Sequence, residues 1–181
     1  MNTLIHICCA PCSITCVDDL RSEGVSPTGF WLNPNIHPFT EYRARKNTLL
    51  EYAKSIALPV ELRDEYGLRS FVAAVSHNMD GRCAYCYRAR LEPCAAFAAA
   101  HGFDSFTTTL MVSPYQNYDL ICQTGAALAE VYGVPFLPRP FYLRFREGQQ
   151  TARDLGLYMQ KYCGCIFSEE ERYLKKKKPT E

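Results

Sequence analysis

No stretch of this sequence approaches the roughly 18–20 consecutive apolar residues that a bilayer-spanning helix needs. The opening Met1-Asn2-Thr3-Leu4-Ile5-His6 has neither a basic lead-in nor an apolar core of signal-peptide length, so nothing argues for export and a cytoplasmic protein is expected. Neither sign of charge dominates: 20 Lys and Arg face 19 Asp and Glu, leaving +1 at pH 7. That balance neither demands nor excludes a nucleic-acid partner, because such binding follows a local basic patch. No Gly-rich nucleotide signature is present, and no SGGxDS-type loop follows the first strand-forming run, which weakens an ATP-using reading. Internal repeats are missing, as is any linker that would split the chain. The 181 residues are therefore expected to form one α/β domain, 1–181, with a full hydrophobic core.

What the sequence has in excess is cysteine, ten in all. With no export signal, metal or redox chemistry stands ahead of disulfide stapling. Cys8, Cys9, Cys12 and Cys16 crowd the start, Cys83, Cys86 and Cys94 lie mid-chain, Cys122 stands alone, and Cys163 and Cys165 come near the end.

The hydrophobic pattern alternates strand and helix. Strands are expected at Thr3–Ile7, Thr28–Leu32, Val60–Arg63, Ser105–Met111 and Val134–Leu137, where short apolar or β-branched runs meet turn residues. Helices are expected at Cys12–Glu23, Glu41–Ala57, Leu68–Val75, Cys83–His101 with a bend near Pro93, and Tyr118–Tyr132. The segment from about 139 to 181 reads as irregular and helical, packing over the sheet edge. Such alternation predicts a parallel sheet flanked by helices, with ligands beyond the carboxyl ends of the strands.

Three groups of residues carry chemistry. Cys8-Cys9-Ala10-Pro11-Cys12 and Cys83-Ala84-Tyr85-Cys86 each contain a C-x-x-C, a spacing that lets two sulfurs converge on zinc or on an iron–sulfur cluster. Spacing alone does not separate the two metals. Cys16, Cys94 and Cys122 read as ordinary core cysteines. Cys163-Gly164-Cys165 can close only a small, strained bridge, which suits a reversible redox couple better than a staple. Asn33-Pro34-Asn35-Ile36-His37-Pro38 and Ser113-Pro114-Tyr115-Gln116-Asn117 fall where such a sheet binds ligands; their amides can read base edges and Tyr115 can stack on a base. Ordinary loop chemistry explains either one alone. Arg43, Arg45, Lys46, Arg82, Arg88, Arg90 and Lys175–Lys178 could contact phosphates, although a solvated helix face is the commoner use.

Taken in order, HICCAPCS, LNPNIHPFTEYRAR, GRCAYCYRARL, GFDSFTTTLMVSPYQ and LYMQKYCGCIFSEEERY resemble the cobalamin-independent epoxyqueuosine reductase family (QueH) from about Leu4 to Tyr173. The resemblance implies a HUP-like α/β fold, related to PP-loop and Rossmann enzymes, with cysteines where those carry a phosphate loop. It implies a 4Fe-4S cluster on Cys8, Cys9, Cys83 and Cys86, a neighbouring iron, and a redox-active disulfide at Cys163 and Cys165. The activity implied is the last step of queuosine biosynthesis, reduction of epoxyqueuosine in tRNA to an alkene. Cys12, the spare thiol beside the cluster, is the candidate ligand of the second iron. Asn33, Asn35, Tyr115 and Gln116 are candidate contacts to the nucleoside. Electrons are expected from a ferredoxin- or flavodoxin-like donor. A structural-zinc RNA-binding protein and a PP-loop-like tRNA-modifying enzyme are the rival readings.

Overall fold

Short β-branched and apolar runs make the strands, and each is followed by a helix that covers it. The computed structural model describes residues 1–174, with β1 (Asn2–His6), α1 (Ala10–Ser22), β2 (Ser26–Trp31), α2 (Phe39–Ser55), β3 (Val60–Leu62) and α3 (Leu68–Val75) in its first part. After these come α4 (Arg82–Ala100), β4 (Ser105–Thr108), α5 (Tyr118–Tyr132), α6 (Phe145–Asp154) and α7 (Ile166–Tyr173). All four strands are parallel, in the order β3-β2-β1-β4. The neighbouring strands β1 and β4 are buried almost throughout, as a sheet covered on both faces requires. Among the described residues no helix is long and apolar enough to cross a membrane.

Most boundaries fall within two residues of the sequence reading, and three of the differences have a clear local reason. The first helix starts at Ala10 rather than Cys12, because Pro11 suits a first turn whose N–H groups have no helical partner. The strand expected through Met111 ends at Thr108. There the Thr108 hydroxyl accepts the Leu110 N–H at 3.1 Å and tightens Thr109–Val112 into a 3-10 turn. The last expected strand shrinks to a single parallel bridge at Phe136, bounded by Pro135 and Pro138, which lack the N–H a ladder uses. The mid-chain helix runs unbroken through Pro93.

The chain leaves β1 to one side through α1 and later returns to its other side as β4. That reversal opens a cleft beyond the carboxyl ends of these two strands. Cys8 and Cys9 follow β1 into this cleft, and Thr109 follows β4.

A buried polar chain fixes the three ends that meet there. Asn33 Nδ2 donates to the Ile7 carbonyl at 2.9 Å, which turns Asn33 Oδ1 toward His6 Nε2 at 3.2 Å. His6 Nε2 must therefore carry the proton, so Nδ1 accepts from the Thr108 hydroxyl at 3.0 Å. Burial, reinforced by the Arg90 charge, lowers the His6 pKa to about 3. His6 is thus neutral when folded, whereas an unfolded His titrates near 6.5. The unfolded chain takes the extra proton, so the contribution is intact above pH 6.5 and is lost as pH falls from there toward 3. Unfolding titrations in denaturant should show about 2 kcal/mol less stability at pH 5 than at pH 7 from this group, a slope that His6→Gln removes. An unchanged slope in His6→Gln would show that other groups set the acid sensitivity.

Candidate metal and redox centre

Cys9 is the N-cap of α1, and Cys8 precedes it in the short turn after β1. The Sγ atoms of Cys8, Cys9 and Cys12 lie within 4.8 Å of one another, all three buried. Cys8 is the most anionic of them. Hydrogen bonds from the Cys12 and Cys9 thiols and the Thr109 hydroxyl, the last at 3.4 Å, hold it well below the usual thiol range. Donating to Cys8 pushes Cys12 up, and burial pushes Cys9 up. The α1 N-terminus adds its partial positive charge. Three soft donors converging at a helix N-terminus suit a thiophilic metal.

The second C-x-x-C occupies the first turn and a half of α4, again at the amino end of a helix. Cys83 is exposed and Cys86 buried, and burial pushes the Cys86 thiol up to about 12. These two sulfurs stand apart from the tight trio.

Over both lies the C-terminal segment. Cys163 is exposed and receives Gln116 Nε2 at 3.0 Å, whereas Cys165 is buried with Phe71, Val75 and Cys86. Both thiols are unbridged. Gly164 between them has φ +149°, and a Cβ there would meet Ile36 and the Arg45 guanidinium, so only glycine fits. The segment is pinned from α2. Arg45 donates to Glu41 at 2.7 Å, to the Cys163 carbonyl at 2.9 Å and to the Tyr162 carbonyl at 3.0 Å. Tyr158 bonds the other Glu41 oxygen, His37 N–H donates to the Gly164 carbonyl at 2.8 Å, and Tyr162 donates to the His37 carbonyl at 2.5 Å.

The chain matches the family described as Epoxyqueuosine reductase QueH over residues 3–171. It belongs to that family. Two relatives carry the same description: one from Dehalococcoides mccartyi, 35% identical over 178 residues with 98% of this chain and 97% of the relative covered, and one from Thermotoga maritima, 36% identical with 94% and 92% covered. The Haemophilus influenzae relative is 32% identical and is covered over 70% of its length. The fold alone is shared with a predicted subunit of a tRNA methyltransferase from Methanocaldococcus jannaschii, at TM-score 0.56 and 14% identity, covering 84% of this chain and 74% of that one. Members of the QueH family are named as reductases, and the chain is accordingly an oxidoreductase.

Set against the residues expected in a QueH site, the structure divides them. Asn33 has both ends of its amide engaged in the His6 frame. Asn35 is 1% exposed, and neither amide atom has a partner. Tyr115 is 89% exposed, while Gln116 accepts from the Tyr87 hydroxyl at 2.7 Å and bonds Cys163. Cys16 and Cys94 are core residues, and Cys122 is half-buried beside the core. Two expectations fail: Arg45 and Arg90, each 1% exposed, are internal and cannot face a phosphate backbone. Arg82 and Arg88 pair with Glu171 and Glu92, Lys46 pairs with Asp64, and Lys175–Lys178 lie outside the described residues. Gln160, not singled out from sequence, donates to Cys12 Sγ at 3.4 Å while its buried Oε1 has no partner. Its place three residues before the C-G-C was the available signal.

Arg45→Met should leave the buried Glu41 carboxylate without its counter-charge, costing about 3–5 kcal/mol in chemical unfolding. It should also expose Cys165 to alkylation by iodoacetamide. A folded Arg45→Met protein in which Cys165 reacts no faster than in wild type would separate the pin from the placement of the thiols.

Proposed function

We propose that the chain reduces epoxyqueuosine to queuosine within tRNA, at an iron–sulfur centre held by Cys8, Cys9, Cys83 and Cys86. The observation that carries this reading is the convergence of buried thiols at the β1–β4 cleft of a QueH-family chain. When bound, a 4Fe-4S cluster with a neighbouring iron supplies one-electron transfer and Lewis acidity. Cys12, with the unpartnered Gln160 Oε1 beside it, is the proposed side of the second iron.

The remaining work falls to the protein's own side chains. Converting an epoxide to an alkene and water takes two electrons and two protons. Oxidation of the Cys163 and Cys165 thiols to a disulfide releases that same number of each, so the pair is stoichiometrically matched to the reaction. A ferredoxin- or flavodoxin-like donor would then return the pair to the dithiol. Gln116 orients the Cys163 sulfur, and the glycine between the two cysteines gives the backbone the freedom their approach requires. Asn35 offers a buried donor and acceptor to the nucleoside, on a loop anchored by Asn33. Tyr115 at the rim offers a face for base stacking.

Anaerobically purified protein should contain iron and acid-labile sulfide in equal amounts from the cluster, with extra iron from the second site. Cys8→Ser, Cys9→Ser, Cys83→Ser and Cys86→Ser should each lose the cluster, whereas Cys12→Ser should lose only the extra iron. A colourless protein holding one zinc would favour the rival suggested by the tight Cys8, Cys9, Cys12 trio. With reductant and epoxyqueuosine-containing tRNA, nucleoside mass analysis should show loss of one oxygen. Asn35→Ala should slow that conversion roughly tenfold or more, as expected for a lost hydrogen bond to substrate of about 1.5 kcal/mol. Full conversion by a Cys163→Ser, Cys165→Ser double variant would remove the pair from the reaction.

A further inference from the structure

Two arginines are sealed inside this protein, and they are treated differently. Arg45 leans on Glu41, a carboxylate. Arg90, on α4, is equally buried and has no carboxylate partner among the described residues. What it touches is the residue one turn earlier: Nη2 donates to Cys86 Sγ at 3.0 Å, and Nε to the Cys86 carbonyl at 3.1 Å. Its charge also acts on Cys163 and Cys8 across a longer distance than on Cys86.

A permanent charge is expensive away from water unless an opposite charge answers it. The guanidinium has no proton to give up at any physiological pH, so neutralisation is closed to it. The Cys86 sulfur is the nearest group that becomes an anion on binding a metal. We infer that Arg90 is a positioning residue whose counter-charge is the thiolate set of the metal centre, and that its charge and its hydrogen bond to Cys86 Sγ raise the reduction potential of that centre. The inference rests on the iron–sulfur reading given above. Its physical basis is that a nearby cation and a donor to a ligating sulfur both favour the electron-rich state of the metal. The plainer alternative is that Arg90 merely fills space and binds a carbonyl; on that account its charge is irrelevant to the potential.

Potentiometric titration followed by electron paramagnetic resonance, on the full chain purified anaerobically, separates the two. Arg90→Gln keeps an N–H donor and loses the charge. Its midpoint should fall by the equivalent of at least tenfold in the oxidised-to-reduced ratio, about 59 mV for a one-electron couple. Arg90→Lys should recover at least half of that, with iron and sulfide counts matching wild type in both. An unshifted midpoint in an iron-replete Arg90→Gln protein overturns the inference. Should Arg90→Gln not fold, the Lys variant alone decides, since a full tenfold shift with the charge retained overturns it equally. Wild-type protein with no reducible iron would instead remove the underlying reading, and both would fall.

Discussion

The site depends on a neutral imidazole. His6 closes β1 and is sealed from water, with one nitrogen given to Asn33 and the other to Thr108. Through those two bonds the ends of β1 and β4 and the loop after β2 share one geometry. Every feature of the cleft hangs from these three ends: Cys8 leaves one, Thr109 leaves another, and Asn35 rides on the third. The cost of burying this much polarity is offset because each atom in the chain of bonds has a partner, and a fully satisfied network specifies one arrangement.

On that frame the thiols are placed by helix geometry. Both C-x-x-C groups stand at the amino ends of helices, α1 and α4, where unsatisfied N–H groups favour negative charge. Phosphate-binding proteins in general use helix amino ends in the same way. Sulfur anions are a different chemical answer to one electrostatic environment. Two internal guanidinium groups then complete the surroundings, Arg45 gripping the segment that carries Cys163 and Arg90 lying directly against Cys86.

Much of this could be read from residues in order. The strand and helix alternation was legible because apolar runs of different period sit between clear turn residues. The cysteine groups were legible because their spacing is local. Arg45 and Arg90 were not. On a helix, a charged residue followed or preceded by others looks like solvated surface, and only the packing of α2 against the C-terminal segment and of α4 against the cleft turns those positions inward. Gln160 escaped in the same way: an amide's importance lies in which of its atoms lack a partner, and a linear pattern does not contain that. The shortened strand at Thr108 turned on one side-chain oxygen competing with the ladder for Leu110.

The order of the pieces along the chain has a biosynthetic consequence. The sulfurs at Cys8, Cys9, Cys12, Cys83 and Cys86 leave the ribosome well before the stretch from Tyr158 to Ser168 that folds across them. During synthesis the receptacle therefore exists, for a time, without its cover. The cover is secured by bonds to Glu41 and Arg45 of α2 and to His37 just before it, from residues spread over Tyr158–Ile166, and it can dock only once that stretch has emerged.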